Sequence, residues 1–395
     1  MLGLALEGGG SRGAYHIGVY RACTELGMEF DAICGTSIGA VNAALLAQGD
    51  YALLVQMWQT LGNGDIFDVD NTRYKKLFTG KIEAADLSYY MDALGKVREG
   101  GGVDTSKMQA LIDQTVDTRK LLESPVDFGL VTVCISDLKP VEFFKNELPP
   151  DQLKTYIMAS ATFPGFQPTK IDDKLYIDGG LHDNCPMNML AARGCTEIIA
   201  VRTYGPGLFR TPKNKGLKLT IISPSESLGP IMNFDPAASA RNMEMGYYDA
   251  LRTLRRLGGT TYCIERPAAD TAFPLFCGLK ASQVQHACKL CGIGGGMQHR
   301  RALLEKLLPT IAGELAVPKT ADYTTLLIAM LEDKAARAGI DRFAVYPLKD
   351  FLPLAGGAKA EPPAKPLLIL PTARTRAVEA ADYLLECLLA NRAGG

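Results

Sequence analysis

A serine lies between two glycines in the run Gly35-Thr36-Ser37-Ile38-Gly39, which fits the G-x-S-x-G pattern. Residues 31–34 before the run predict a short strand, and the apolar stretch from Ile38 onward predicts a helix. At such a junction a sharp turn lifts a serine hydroxyl clear of the sheet, and small residues on both sides relieve the steric clash. The helix N-terminus also favours developing negative charge. The pattern predicts a serine nucleophile, Ser37. A tight turn with a capping Ser or Thr is the alternative.

Three consecutive glycines, Gly8, Gly9 and Gly10, open a second loop, which also follows a predicted strand and precedes a predicted helix. Glycines leave backbone N–H groups unshielded, so this loop can direct two or three of them at an anionic oxygen. Such a loop is suited to an oxyanion or a phosphate.

The same loop matches G-x-G-x-x-G at Gly8, Gly10 and Gly13, with Glu29 or Asp31 near the spacing of a ribose-binding acid. A dinucleotide site is therefore an alternative interpretation. The serine elbow argues against it, because the elbow occupies the end of the next strand, where that carboxylate would be needed. No G-x-x-x-x-G-K-[ST] motif occurs, so a triphosphate site of that kind is unsupported.

Both loops should emerge at the carboxyl ends of adjacent parallel strands, the edge at which open α/β sheets place their sites. We therefore expect the glycine loop to face Ser37. A nucleophile beside unpaired amides is what acyl transfer requires, since each amide that binds the oxyanion lowers the barrier by roughly 3 kcal/mol.

A nucleophilic serine needs a base, and a Ser-His-Asp triad would take it from His16, His182, His286 or His299. His16 falls in the first turn of the first predicted helix, and His286 and His299 fall in the C-terminal region. None is well supported as the base, and His182 is an alternative only because it follows Asp178 by four residues. An α/β-hydrolase would also place several strands before its elbow, whereas one strand precedes this one.

A carboxylate offers another base. In residues 176–180 a short predicted strand delivers Asp178 to the turn Gly179-Gly180. A carboxylate is a weak base at its usual pKa of about 3.9, so Asp178 would act only if desolvated and within hydrogen-bond reach of the serine hydroxyl. Asp-Gly-Gly is also common as a plain turn.

The elements that must position these residues alternate between strand and helix with short connections. This order predicts an α/β fold with a parallel sheet covered by helices on both faces. Helices are expected at residues 13–27, 38–48, 51–61, about 105–117, 150–160, 186–193 and 236–257, and further buried strands at 128–136, 197–203 and 218–223.

Composition changes twice along the chain. Residues 62–104 are rich in Gly, Asp and Tyr and predict an insertion over the sheet, suited to a lid. Beyond about residue 255 the pattern becomes mostly helical. We expect a catalytic domain at residues 1–255 and a mostly helical C-terminal region at 256–395, with a flexible segment near 353–365 that is rich in Pro, Gly and Ala.

Charge and hydropathy exclude several classes of protein. The 395 residues carry 42 Lys and Arg against 43 Asp and Glu, without a run of five like charges, so no nucleic-acid partner is expected. Neither a leader peptide nor the ~20 apolar residues that span a bilayer can be seen, which predicts a cytoplasmic protein, at most peripheral at membranes. The ten scattered cysteines predict mostly reduced core residues.

The motifs together resemble the patatin-like phospholipase family. They are EGGGSRG at 7–13, GTSIGA at 35–40 and DGG at 178–180, and the stretch at 158–186 resembles the segment that leads into the family's catalytic aspartate. Order, separation and flanking sequence agree, and the resemblance covers about residues 1–255. It implies a three-layer patatin-like fold with a mainly parallel central sheet and a Ser-Asp dyad acyl hydrolase.

The resemblance also implies a role for each residue of the motifs. Ser37 is the nucleophile, Asp178 is the base, and the oxyanion hole comes from Gly8, Gly9 and Gly10 with the Arg12-Gly13 turn. Glu7 stands where many members have Asp, and Gly180 where others have Ala, and neither change removes a catalytic group. The implied substrate is a lipid acyl ester, and no metal or organic cofactor is required.

The alternative from another class is a lipid-binding or regulatory protein that keeps this fold without turnover, against which the intact Ser37, Asp178 and glycine loop argue. Two weaker patterns remain. Cys288 and Cys291, with two histidines nearby, offer zinc ligands, but a second C-x-x-C is missing, so no metal is expected. A leucine stripe at residues 303–311 beside basic residues predicts ordinary helix packing rather than a membrane-surface helix.

Overall fold

The computed structural model describes residues 1–66, 102–214, 216–267, 270–362 and 372–393. The chain divides into two compact units, Met1–Ala250 and Leu251–Gly395. The first unit contains the large sheet and the motifs described above. The second unit is mostly helical and has a core of its own.

The large sheet has the strand order β5-β6-β3-β2-β1-β7-β8, with β4 paired to β3. Its strands are β1 Leu2–Leu6, β2 Ala32–Thr36, β3 Asp127–Cys134, β4 Lys139–Phe144, β5 Thr169–Ile171, β6 Lys174–Asp178, β7 Glu197–Val201 and β8 Lys218–Ile222. The neighbours from β3 through β2, β1 and β7 to β8 are parallel. The pairs that involve β4, β5 and β6 are antiparallel. The mainly parallel α/β sheet is confirmed, and the antiparallel edge is an addition to the predicted plan.

Helices follow most strands of this unit. They are α1 Ala14–Glu25, α2 Ile38–Ala47, α3 Tyr51–Thr60, α4 Asn63–Ile66, α5 Ser106–Thr115, α6 Thr118–Glu123, α7 Leu153–Ala161, α8 Met187–Ala192 and α9 Pro236–Leu254, which crosses the boundary between the units. The predicted helices are present, with ends that differ by at most three residues. Residues 63–66 of the predicted insertion form α4, and residues 67–101 of it lie outside the described residues.

Both faces of the sheet are covered. On one face Ala5, Cys34 and Ala200 pack in one buried cluster with Met189 and Leu190 of α8. The residues that alternate with them along the strands, such as Leu4, Ile33 and Ile199, are buried as well. Since successive side chains of a strand point to opposite faces, helices cover the sheet on both sides, in three layers.

The second unit contains a short parallel pair, β9 Cys263–Glu265 and β10 Val345–Pro347. Its helices are α10 Ala272–Cys277, α11 Ala281–Leu290, α12 His299–Ala302, a π-helical turn Leu303–Leu307, α13 Leu308–Glu314, α14 Tyr323–Arg337, α15 Leu348–Gly356 and α16 Ala373–Ala393. The leucine stripe is buried in the core of this unit, so ordinary helix packing is confirmed for it.

The predicted flexible segment needs a correction. Residues 353–356 belong to α15, although Pro353 lies inside the helix. Phe351, Leu352 and Ala355 are buried, and this burial outweighs the poor helix propensity of the Pro-Gly composition. Residues 363–365 of the segment lie outside the described residues.

All ten cysteines are free thiols, and eight of them are buried, as predicted. Within the described ranges no helix is both long and apolar enough to cross a bilayer.

Candidate active site

Ser37 lies on a strained turn between β2 and α2. Its backbone angles are φ 59° and ψ −133°, a region that costs a non-glycine residue of order 1–3 kcal/mol. Tertiary hydrogen bonds hold it there, because its N–H donates to Ser160 Oγ at 3.1 Å, and that hydroxyl donates to the Val131 carbonyl at 2.6 Å. Buried Ser160 on α7 therefore fixes the elbow, a role that no local sequence signal announced.

The glycines on either side of Ser37 are required by close backbone approach. A Cβ on Gly35 would overlap the carbonyl of Gly39, and a Cβ on Gly39 would overlap the carbonyl of Leu6 at the end of β1. The two glycines let the strand, the turn and the helix approach each other as the G-x-S-x-G pattern predicts.

Asp178 ends β6, and its side chain is almost completely buried. Its N–H donates to the Thr162 carbonyl at 2.8 Å, and its Oδ1 accepts from the N–H of Gly180 at 2.8 Å. Burial raises the pKa of Asp178 to about 6, opposed by hydrogen bonds from the Ser37 hydroxyl and the Gly180 N–H. The structure thus places a desolvated carboxylate in the same pocket as the Ser37 hydroxyl, an environment that suits a carboxylate base.

The N–H groups of the glycine loop differ in whether they have an acceptor. The N–H of Gly8 donates to the Asn184 carbonyl at 3.0 Å, and the N–H of Arg12 donates to the Gly9 carbonyl at 3.2 Å. For Gly9 and Gly10 no acceptor exists among the residues that the structure describes. These two unpaired amides line the same pocket as Ser37.

Arg12 braces the glycine loop from outside the pocket. Its Nε donates to the Gly229 carbonyl at 2.7 Å, and its Nη1 donates to the Thr203 carbonyl at 3.2 Å. Thr203 in turn donates from Oγ1 to the Gly8 carbonyl at 2.6 Å. Buried Glu7 accepts the N–H of Thr203 at 2.6 Å, and it forms an ion pair with Arg202. The sequence suggested none of these contacts, because the partners lie 191 to 217 positions apart.

The pocket that contains Ser37 is narrow and mostly apolar, with about 500 Å³ of empty space counted to its open mouth. Its polar end is formed by Gly9, Gly10, Ser37, Asp178 and Asn184. Its apolar wall is formed by Ile38, Ile66, Met108, Ala161, Phe163, Phe166, Pro206, Ile231, Met232 and Phe234. The wall suits a hydrocarbon chain, with its reacting carbon at the polar end.

The histidines lie elsewhere. His16 is buried with its Nδ1 3.1 Å from Asn42 Nδ2, and burial lowers its pKa to about 3. His182 Nε2 lies 3.3 Å from Glu142 Oε1. His286 and His299 belong to α11 and α12 of the second unit. None of the four lines the pocket.

The acids that a dinucleotide site would need also lie elsewhere. Asp31 precedes β2, and its carboxylate accepts the N–H of Leu2 at 2.6 Å. Asp31 and Glu29 are therefore at the amino edge of the sheet, whereas the glycine loop is at the carboxyl edge, so neither can bind the ribose of a nucleotide held by that loop. In the described part of the chain, no three His, Cys, Asp or Glu side chains are grouped so that they could hold a metal ion.

Comparison with known proteins bears out the resemblance. The model of the family described as patatin-like phospholipase matches residues 4–191. An uncharacterized NTE family protein of Mycobacterium tuberculosis is 28% identical over 262 residues, 61% of this chain and 39% of the relative. Lysophospholipase NTE1 of Mycosarcoma maydis is 28% identical over 207 residues, 51% of this chain and 9% of the relative. The chain thus spans well under half the length of these relatives.

The solved structures that the comparison finds include one from Legionella pneumophila. The crystal structure of VipD from Legionella pneumophila is 13% identical, with a TM-score of 0.41, and the match covers 86% of this chain and 80% of that one.

Proposed function

We propose that this chain, whose residues 4–191 match the patatin-like phospholipase family, hydrolyses acyl esters of lipids through Ser37 and Asp178. The observation that carries the proposal is a single arrangement at the carboxyl edge of the sheet. A strained serine and a buried carboxylate lie beside two unpaired amides, at the polar end of an apolar pocket. A fungal relative that is named a lysophospholipase supports the substrate class.

In the proposed reaction, Ser37 Oγ attacks the ester carbonyl carbon while Asp178 accepts the hydroxyl proton. Negative charge moves to the carbonyl oxygen, where the N–H groups of Gly9 and Gly10 stabilise it. The proton passes to the departing alcohol, which leaves an acyl-serine. Water then attacks this ester with Asp178 again as base, and the free acid departs.

Of the residues that the resemblance assigned to the oxyanion hole, Gly9 and Gly10 are the proposed donors. The amides of Gly8 and Arg12 have other acceptors, so Gly8, Arg12 and Gly13 are proposed to hold the loop in place. We assign these two roles by whether each N–H group has an acceptor among the described residues.

The proposed base acts only when ionised. Since the pKa of Asp178 is raised to about 6, kcat/KM should rise with pH through about 6 and reach its plateau near pH 7 to 8.

A fluorophosphonate probe tests the proposal. We expect one covalent adduct on Ser37, which disappears in Ser37→Ala, and we expect the same variant to lose hydrolysis of a water-soluble short-chain ester. Ser106→Ala, which replaces an exposed serine, is the control and should leave both the labelling of Ser37 and the ester hydrolysis unchanged. Labelling without ester turnover, together with lipid binding, would instead favour the catalytically silent lipid-binding protein. Ester hydrolysis that survives Ser37→Ala would contradict the proposed mechanism.

A further inference from the structure

Two large apolar side chains are exposed on the loop of residues 203–210, which follows β7. Tyr204 is 51% exposed and Leu208 is 48% exposed. Between them, Pro206 lines the pocket that contains Ser37. Because β7 is parallel to β1 and β2, this loop leaves the sheet at the edge where the serine and glycine loops lie. The two exposed side chains therefore lie at the same edge of the sheet as the candidate active site and are not part of the pocket lining.

The loop holds these side chains in place by hydrogen bonds. Tyr204 has a positive φ of 50°, its N–H donates to Glu7 Oε2 at 2.9 Å, and its carbonyl accepts from Arg12 Nη1 at 2.6 Å. The N–H of Leu208 donates to the Gly180 carbonyl at 2.9 Å, and its own carbonyl accepts from the N–H of Asn184 at 2.7 Å. Because these hydrogen bonds anchor both ends of the loop to the site, its apolar side chains stay exposed, although their contact with water is unfavourable.

The charge around the loop is mixed, with cations exposed. Arg210 and Lys213 follow Leu208 and are exposed. The Arg202 guanidinium lies 4.7 Å from the ring centre of Tyr204 and 3.7 Å from that of Phe209. Among the acids near the loop, Glu7 pairs with Arg202, Glu142 lies 3.3 Å from His182 Nε2, and the carboxyl group of Asp183 interacts with Arg210.

We propose that the 203–210 loop is the surface through which this protein docks on a lipid bilayer, which rests on the proposed lipid acyl hydrolase function. Tyrosine is favoured at the depth of lipid headgroups, where its ring is shielded and its hydroxyl stays wet. Leu208 inserts further, and Arg210 and Lys213 meet phosphates and anionic headgroups. Docking by this loop brings the pocket mouth against the membrane, so an acyl chain enters the pocket without crossing water.

The test measures binding without turnover. Full-length Ser37→Ala protein is sedimented with sucrose-loaded vesicles of phosphatidylcholine with about one third phosphatidylglycerol. The added pair Tyr204→Ser and Leu208→Ser should lower the partition coefficient roughly tenfold or more, because a buried leucine side chain alone is worth that much. Arg210→Ser should lower binding to the anionic vesicles and leave binding to pure phosphatidylcholine vesicles unchanged.

Leu26→Ser is the matched control. Leu26 is 42% exposed and follows α1, which runs from the glycine loop back to the start of β2, so it lies at the opposite edge of the sheet. Its replacement should leave vesicle binding unchanged. Equal loss in both variants, undiminished binding of the Tyr204 and Leu208 variant, or no binding of the parent protein would overturn the proposal.

Activity separates this inference from the function on which it rests. With Ser37 intact, the Tyr204 and Leu208 variant should hydrolyse a soluble short-chain ester at the parent rate and vesicle phospholipid more slowly, at an unchanged thermal midpoint. Esterase activity without vesicle binding would leave the function and remove the docking surface. Vesicle binding that depends on Tyr204 and Leu208, without any hydrolysis, would leave the surface and remove the function.

Discussion

Each unit of the molecule buries carboxylates, and two of them, Glu332 and Asp178, have opposite surroundings. In the helical unit, Glu332 of α14 accepts the N–H groups of Thr260, Thr261 and Tyr262, each at 2.8 Å. In the sheet unit, Asp178 has one backbone donor, Gly180, and the hydroxyl of Ser37. A carboxylate saturated with backbone donors fixes a turn. A carboxylate left with few donors keeps a raised pKa and an available lone pair, which are the properties of a base.

The cores of the two units also differ in whether they include groups suited to chemistry. The helical unit is organised around an aliphatic and aromatic cluster that includes Phe276, Leu327 and Phe351. The sheet unit combines its apolar core with a strained serine and a buried aspartate at one edge. At this edge unfavourable burial and backbone strain therefore coincide where chemistry is proposed.

The largest expected effect is on catalysis by Asp178. Replacing it in Asp178→Asn keeps the shape of the side chain and removes the base, so kcat/KM for a soluble ester should fall roughly 10⁴-fold, the loss seen when a triad aspartate is replaced in this way. Glu332→Gln is the matched change in the other unit and should leave kcat/KM within about twofold. Steady-state kinetics at pH 8 measure both. Retained activity in Asp178→Asn would remove Asp178 from the mechanism.

The second prediction concerns the glycine loop. Gly10 has a φ of 56°, and a Cβ there would overlap the Ile231 carbonyl. Gly10→Ala should therefore displace the loop and lower kcat/KM roughly 10²-fold or more, the value of one oxyanion donor. Gly27→Ala separates strain from function, because Gly27 has a φ of 76° but an added Cβ would meet no described atom within 4 Å. It should cost stability of about 1 kcal/mol and no activity. Equal kinetic losses in both variants would contradict a role of the loop in the oxyanion hole.

The sequence predicts the part of this site that depends on residues close to each other along the chain. Gly35 and Gly39 lie two positions from Ser37, and the clash that a Cβ on Gly35 would make with the Gly39 carbonyl is local, so the pattern specifies the turn. The contacts that lock the turn are not local. Ser160 reaches the Ser37 amide from 123 positions away, and Asn184 takes the Gly8 amide from 176 positions away. No spacing in one sequence shows which amides such partners occupy.

Burial also explains why the composition gave a wrong prediction for part of the segment that was expected to be flexible. Proline and glycine at residues 353–357 indicated a flexible segment, yet α15 extends through Pro353 because Phe351 and Leu352 are buried in the core of the helical unit. Local propensity is a weak prior against buried apolar area, and one sequence does not reveal which apolar residues become buried.

The third prediction tests the structural carboxylate. In Glu332→Ala, three N–H groups lose their acceptor, that of Tyr262 buried and those of Thr260 and Thr261 partly buried, so the free energy of unfolding of the helical unit should fall by about 2 kcal/mol. Hydrolysis of a soluble ester should persist, since the proposed machinery lies in the other unit. Urea unfolding followed by circular dichroism measures the loss, and Glu386→Ala, which removes an exposed carboxylate on the neighbouring part of the same unit, provides the comparison. A loss no larger than in Glu386→Ala would mean that Glu332 does not fix this turn.

The smallest expected effect concerns how much the buried Asp178 carboxylate lowers the stability of the fold. The pKa of Asp178 is raised on folding, so between about pH 4 and 6 the folded protein binds more protons than the unfolded chain, and stability falls as the pH rises through this window. Above pH 6 the full cost, at most about 3 kcal/mol for a shift of this size, is present. Asp178→Asn removes the charge and should therefore raise the free energy of unfolding by about 1–2 kcal/mol at pH 7.5, and by less at pH 4.5. Urea titrations at the two pH values measure this difference. The same substitution should then abolish the proposed hydrolysis and stabilise the fold, whereas Glu332→Gln should do neither. If Asp178→Asn instead lowers the free energy of unfolding at pH 7.5, Asp178 has a structural role like that of Glu332 and is not a carboxylate kept for proton transfer.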